Sequence, residues 1–232
     1  MFMRHWMPTN HNGQTVLLIH GLASSSVTWL RLASYLKSNG YEVYAPDLSG
    51  HGKSSWKSSY SVQDWTDEIL ETNVEPDIII GHSIGGLIAA NLSQSFSAAK
   101  TVLLDPVFHL PRSSFVLGWV HFFFSRQLRT SKPKSNAHRH QLVEHSSMRK
   151  WDAKSISALA APHDIARSFT SVSRDALMIR AGRSYIFPAI KSSAVGILFE
   201  HYPKVGHNIH VDAFDRFVES LSQFLSRPSA LA

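Results

Sequence analysis

The sequence predicts an α/β protein whose mostly parallel sheet is flanked by helices. Short apolar runs alternate with segments of helical apolar spacing along most of the 232 residues. One run, Ile78–Ile80, is entirely β-branched and leads directly into Gly81-His82-Ser83-Ile84-Gly85. Polar residues come directly after several of the predicted strands. In a parallel sheet such residues collect at the carboxyl edge.

The stretch Pro76–Leu92 carries the most informative motif. A buried strand, the pattern G-x-S-x-G and an apolar helix follow one another, an order typical of a nucleophile elbow. Gly81 and Gly85 lack Cβ atoms, so the turn can close tightly and hold the Ser83 hydroxyl clear of the sheet. The start of the next helix would offer N–H groups and a partial positive charge to an oxyanion. A glycine-rich turn with an incidental serine is the alternative, and we prefer the elbow.

The first half of the chain supplies further strands and helices. Val16–Ile19 is fully apolar, which indicates a strand that is buried on both faces. Ser24–Ser26 can cap the next helix, and Asn39-Gly40 ends it. The other elements predicted here are an edge strand around Phe2–Met7, a strand at Tyr41–Ala45 and a helix from Ser61 to about Thr72.

The second half is interrupted by a segment without this alternation. We assign residues 1–107 and 162–232 to the core and residues 108–161 to an insertion. The core elements predicted here are strands at Lys100–Leu104, Ala176–Ile179 and Gly196–Phe199, a loop at His201–Gly206 that leads to His207, and a closing helix at about Val211–Ser226.

The charge of the chain is concentrated in the insertion. The stretch from Phe108 to Lys150 has eight basic residues and one acid, so its charge is +7, while the whole chain is +6. This local asymmetry indicates an inserted module rather than a generally basic protein. The basic residues could attract an anionic substrate or membrane surface, but a solvated, flexible face is the commoner meaning of such a run and is the one we favour.

Composition excludes several classes of function. The chain has no cysteine, which rules out disulfides, thiolate metal sites and a cysteine nucleophile. The N-terminus is too polar for a signal peptide, and the apolar stretch Phe115–Phe124 is too short to span a bilayer, so we expect a cytoplasmic protein. We expect no metal at His138-Arg139-His140 or His207–His210, where no carboxylate or thiolate has ligand spacing. No motif supports binding to nucleic acid, and the oligomeric state stays open.

The chain resembles the α/β-hydrolase superfamily over nearly its whole length. The matching segments, in the family's order, are VLLIHGLASSSVTW, YEVYAPDLSGHGKSS, DIIIGHSIGGLIA, TVLLDPV and VGHNIHVDAFDRFVESLSQFL. The resemblance implies Ser83 as nucleophile, His207 as general base and an oxyanion hole from the backbone N–H groups of Leu22 and Ile84. It also implies the α/β-hydrolase fold, with the insertion as a helical cap, and no metal or organic cofactor.

The acid of the triad departs from the family's pattern. The family acid usually follows the next-to-last strand, but Arg180–Ile186 contains no carboxylate. Asp105 ends the strand after the nucleophile helix, where some family members carry their acid, and it is our candidate; the alternative is that Asp-Pro merely ends that strand. Asp164 and Asp152 are weaker because they lie in or near the insertion, and Asp175 would lie at the wrong edge. A dyad without an acid is the remaining option.

These residues imply a serine hydrolase that cleaves a carboxylic ester of a small to medium apolar substrate through an acyl-enzyme. A thioesterase, a C–C bond hydrolase or a lyase could use the same residues, and a binding protein on a retired hydrolase fold is the non-enzymatic alternative. For the substrate pocket we expect His20, His82, Trp119, Phe123 and Tyr185. His20 and His82 also fit a local hydrogen-bonding role, and apolar cap residues also fit simple packing of the cap onto the core.

Overall fold

The computed structural model describes residues 1–22, 24–58, 60–106, 175–182 and 197–228. Within these ranges the strands are β1 (Phe2–Trp6), β2 (Thr15–Ile19), β3 (Glu42–Asp47), β4 (Ile78–His82), β5 (Lys100–Leu104), β6 (Ala176–Ala181) and β7 (Ile197–Tyr202). The helices are a 3₁₀ turn at Ser26–Trp29, α1 (Leu30–Ser38), α2 (Val62–Leu70), α3 (Ile84–Ser95), α4 (Ile209–Asp212) and α5 (Phe214–Leu225).

The strands form one sheet in the order β1-β3-β2-β4-β5-β6-β7. β1 pairs antiparallel with β3, and the five other pairs are parallel. The predicted α/β class with a mostly parallel sheet is therefore confirmed. β4 is buried along its whole length, as expected for a parallel strand covered by helices on both faces, whereas β1 at the edge is only partly buried.

Two hydrophobic cores cover the two faces of the sheet, because side chains alternate along each strand. In β2, Leu17 and Ile19 face the core under α2 and α3, while Val16 and Leu18 face the core under α1 and α5. The other central strands alternate in the same way. The alternation of apolar residues along the strands therefore determines which side chains each helix covers. Because the strands β2 to β7 are parallel, their carboxyl ends lie at one common edge of the sheet.

The predicted closing helix is wrong in one respect. Instead of one helix over Val211–Ser226, the structure has α4 and α5, separated at Ala213, whose backbone leaves the helical region at φ −133° and ψ 41°. Phe214 and Phe217 lie on one buried face of α5, but Ile209 would fall outside that face in a continuous helix. Ile209 of α4 is fully buried in the same core as Phe214 and Phe217.

The strand ends extend beyond the predicted bounds. β3 runs on to Asp47 because the antiparallel partner β1 continues the pairing, with Met3 opposite Pro46. β7 runs on to Tyr202, which pairs with Ala181 of β6. The predicted cap, residues 108–161, lies outside the described residues. Where the structure is described, no helix combines the length and the apolar character that crossing a membrane requires.

Candidate active site

Ser83 occupies the turn between β4 and α3. Its backbone has φ 56° and ψ −120°, a conformation that L-residues rarely adopt. A Cβ at Gly81 would overlap the Gly85 carbonyl group, and a Cβ at Gly85 would overlap the Ile19 carbonyl oxygen. Both glycines are therefore required by close backbone contact, as the sequence predicted. The turn is fixed further by the Ser83 N–H, which donates to the Leu104 carbonyl at 3.0 Å.

The turn after β2 lies directly against the serine. An ideal Cβ placed on Gly21 would be 3.1 Å from the Ser83 Cβ and 3.0 Å from Nδ1 of His82, so glycine lets the two turns approach. Leu22 is the next residue along this turn. Ile84 is the first residue of α3, where backbone N–H groups have no partner within the helix. The predicted oxyanion-hole residues thus come from two adjoining turns.

Asp105 and His207 meet although they are 102 positions apart. Oδ2 of Asp105 lies 2.6 Å from Nδ1 of His207. Asp105 follows β5 at φ 40°, and His207 follows β7. Because an ionised carboxylate can only accept a hydrogen bond, Nδ1 carries the proton in this pair. Nε2 is then the nitrogen of His207 that can take a proton from another group.

His82 connects the loop of His207 to the serine turn. Nε2 of His82 donates to the His207 carbonyl oxygen at 2.9 Å, and the two ring centroids are 4.6 Å apart. Burial, followed by the charges of His207 and His210, holds the pKa of His82 well below its usual value, so the ring is a neutral donor. His207 is therefore held beside the residue that immediately precedes Ser83.

Arg180 is a buried charge that the sequence interpretation missed as part of this site. It belongs to β6 and is 8% exposed. Oδ1 of Asp105 accepts from Nε of Arg180 at 3.0 Å and from the Ala181 N–H at 3.2 Å. An arginine in an otherwise apolar, fully buried strand signals a buried partner, because an unpaired charge is strongly disfavoured there. That signal was available in the sequence, but it did not say which carboxylate the partner is.

The model of the alpha/beta hydrolase family matches residues 16–220. The chain belongs to this family. Lipase LipV of Mycobacterium tuberculosis is 35% identical over 104 residues, which are 42% of this chain and 39% of the lipase. The pimeloyl-acyl-carrier-protein methyl ester esterase of Vibrio cholerae serotype O1 is 30% identical over 112 residues, 47% of this chain and 44% of the esterase. The matched parts thus span less than half of these relatives' lengths.

A solved structure shows the same fold. The enol-lactonase of Burkholderia xenovorans LB400 superposes with a TM-score of 0.76 at 16% identity, covering 97% of this chain and 96% of that one. The chain therefore has the fold that the sequence alone already indicated.

The candidate acids of this α/β hydrolase occupy different edges of the sheet. Asp105 lies at the carboxyl edge with His207. Asp175 precedes β6, and its Oδ2 is 4.0 Å from Nζ of Lys100 at the start of β5, so it lies at the opposite edge, as expected. Asp152 and Asp164 lie outside the described residues.

The five residues expected to line the pocket cannot all be placed. Trp119, Phe123 and Tyr185 lie outside the described residues. His20 is fully buried: Nδ1 donates to the Gly21 carbonyl at 2.8 Å, and Nε2 accepts from the Leu48 N–H at 3.0 Å. Burial lowers the pKa of His20, consistent with this neutral form. Like His82, it forms hydrogen bonds to backbone groups of the neighbouring turns. This is the local role that the sequence analysis gave as the alternative to lining the pocket.

Proposed function

We propose that this α/β hydrolase cleaves a carboxylic ester of a small to medium apolar substrate through an acyl-enzyme on Ser83. The observation that carries the proposal is the 2.6 Å contact between Asp105 and His207 on a loop bonded to the residue before Ser83. The proposal takes Ser83, His207 and Asp105, which follow β4, β7 and β5 at the carboxyl edge of the sheet, as nucleophile, base and orienting acid. The ester preference rests on the names of the lipase and the methyl ester esterase among its relatives.

In this mechanism Ser83 Oγ attacks the acyl carbon while Nε2 of His207 takes the hydroxyl proton. The N–H groups of Leu22 and Ile84 bind the oxyanion that forms, and one such donor contributes on the order of 10²–10³ in rate. His207 then gives its proton to the leaving alcohol, and the acyl group stays on Ser83. A water molecule, deprotonated by His207, attacks the acyl-enzyme and releases the acid. These steps require no metal or organic cofactor.

Asp105 has a distinct part in these steps. Its carboxylate holds the proton on Nδ1 of His207, so that Nε2 faces the nucleophile, and it stabilises the imidazolium formed during attack. Asp105→Asn presents an amide in place of the acceptor and should lower kcat by roughly 10⁴, as amidation of a triad aspartate does. A loss of less than tenfold would remove Asp105 from the triad.

The test is covalent labelling with a fluorophosphonate probe. Wild-type protein should be modified at Ser83 near neutral pH, and Ser83→Ala should abolish labelling. Ser93→Ala is a matched control, because Ser93 is a buried serine of α3 that bonds to the Ala90 carbonyl. Absence of labelling in folded wild-type protein would refute the acyl-enzyme and favour a binding protein.

The bond that is cleaved needs a separate experiment. A thioesterase, a C–C bond hydrolase and a lyase could each use the same three residues. A panel of aryl esters, acyl thioesters and vinylogous diketones distinguishes them. We expect the highest kcat/KM for an ester; a higher value for another class would replace ester hydrolysis as the reaction.

A further inference from the structure

We propose that Arg180 is a positioning residue of the triad, which holds one oxygen of Asp105 so that the other stays directed at His207. The inference rests on the proposed function, because it assigns Asp105 and His207 the roles given above. It concerns a residue whose charge the proposed mechanism does not itself use.

The two oxygens of Asp105 have separate partners. Oδ1 accepts from Nε of Arg180 at 3.0 Å and from the N–H of Ala181 at 3.2 Å. Oδ2 is 2.6 Å from Nδ1 of His207. Both donors to Oδ1 lie on β6, whereas Asp105 follows β5. The carboxylate is therefore held from the neighbouring strand, and its rotation about the Cβ–Cγ bond would break the contacts at Oδ1.

The backbone joins the same two strands at this point. The N–H of Asp105 donates to the Ile179 carbonyl of β6 at 2.7 Å, although Asp105 has a positive φ of 40°. A non-glycine residue keeps such a conformation only where its surroundings fix it. The main chain and the side chain of Asp105 are thus both tied to the Ile179–Ala181 segment of β6.

The charge of Arg180 fits the same role. Asp105 is 1% exposed, and a buried carboxylate needs compensation of its charge. While His207 is neutral and ready to accept a proton, the guanidinium provides a fixed opposite charge. Nε of Arg180 contacts Oδ1, while Nδ1 of His207 contacts Oδ2. Arg180 thus offsets the negative charge of Asp105 before His207 is protonated, and it does not occupy the position of His207 at Oδ2.

The experiment compares Arg180→Met, which removes both charge and donor, with two partial replacements. Arg180→Lys keeps the charge and a donor but not the planar guanidinium geometry, whereas Arg180→Gln keeps a donor without the charge. Arg216→Met is the control, since Arg216 is an exposed arginine of α5 whose guanidinium stacks on Tyr202 at 3.8 Å. Rates are expressed per fluorophosphonate-labelled site, so that a loss of folded protein does not count as a loss of catalysis.

We expect Arg180→Met to lower kcat per labelled site by about 10²-fold, the size expected when a reacting group is misplaced by about 1 Å. KM should change little, because Arg180 orients the acid and does not bind substrate. Arg180→Lys and Arg180→Gln should each recover part of kcat, and Arg216→Met should match wild type. Unchanged kcat per labelled site in Arg180→Met would overturn the proposal.

A second readout does not depend on turnover. The proton shared by His207 and Asp105 should give a far-downfield NMR resonance, identified by its loss in His207→Gln. Arg180→Met should move this resonance upfield or broaden it, while Arg216→Met should not.

The outcomes distinguish the two proposals. If wild-type protein shows the resonance but neither labelling nor hydrolysis, the proposed function is refuted, and the NMR comparison still tests whether Arg180 positions Asp105. If Arg180→Met does not fold, the lysine and glutamine variants decide, and wild-type values in both would refute the proposal.

Discussion

Stability at acid pH should depend on His210, which lies behind the active site. The side chain is 3% exposed, Nε2 bonds with Thr28 Oγ1 at 2.7 Å, and the ring packs 4.3 Å from the Trp29 ring. Its centroid is also 4.8 Å from that of His82. Burial, followed by the charge of His207, lowers the pKa of His210 from 6.5 to about 3.

The direction follows from proton binding in the two states. In the unfolded chain His210 takes up a proton as the pH falls through 6.5, whereas in the folded protein it stays neutral until about pH 3. The unfolded state therefore binds more protons across this window, and the free energy of unfolding decreases as the pH falls from about 6.5 towards 3. One proton corresponds to about 1.4 kcal/mol per pH unit. Between pH 6.5 and 4.5, His210 should therefore remove roughly 2 kcal/mol of stability.

The assay is urea unfolding of wild type and His210→Gln at pH 6.5, 5.5 and 4.5. Glutamine can still bond with Thr28 but does not titrate. Because all other titrating groups are shared, wild type should lose about 2 kcal/mol more than the variant over this range. His210→Asn is a second variant that does not titrate at this position. Its free energy of unfolding should change with pH in the same way as that of His210→Gln, although its absolute stability should differ. Parallel curves for wild type and both variants would refute the reasoning.

Three further substitutions should lower stability in ways that the fold dictates. Ser61→Ala removes the cap of α2, where Ser61 Oγ accepts from the Asp64 N–H at 3.0 Å, and should cost about 1 kcal/mol in urea unfolding. Gly50→Ala puts a Cβ 2.7 Å from the Tyr60 ring at φ +78°, so its loss should exceed about 1 kcal/mol; an unchanged unfolding midpoint would contradict this. Lys100→Met removes the Nζ contacts to carbonyl groups at the C-terminal end of α5 and should lower the Tm in calorimetry; an unchanged Tm would contradict this.

The central strands and the serine turn could be predicted because their sequences determine them locally. Lys100–Leu104 has the bounds that the sequence indicated, since an apolar run ends there at Asp105-Pro106. Gly81 and Gly85 predicted the tight turn because backbone atoms occupy the space where their side chains would lie. In these places, the size and polarity of the residues themselves were sufficient to predict the local structure.

Other features depend on residues far away in the sequence. The end of β3 is fixed by its pairing with β1, and Met3 lies opposite Pro46 only in the folded sheet. The helix is interrupted at Ala213, and Ile209 on its N-terminal side packs into a core built from residues across the whole described chain. Position 105 could be predicted to lie at the carboxyl edge, but its contact with His207 spans 102 positions and needs the folded arrangement of β5 and β7.

Three imidazoles, those of His82, His207 and His210, lie close together beside the serine turn, and their contacts differ. His82 and His210 are buried, their pKa values are lowered by burial and by neighbouring histidines, and His82 uses its proton to hold the His207 carbonyl. Protonating either one would place a charge on a buried ring that lies beside another histidine, which is unfavourable. His207 instead contacts the Asp105 carboxylate through Nδ1 at 2.6 Å. In the proposed mechanism, Arg180 compensates Asp105 through Oδ1, so the carboxylate can stabilise the imidazolium of His207 through Oδ2 without exchanging partners.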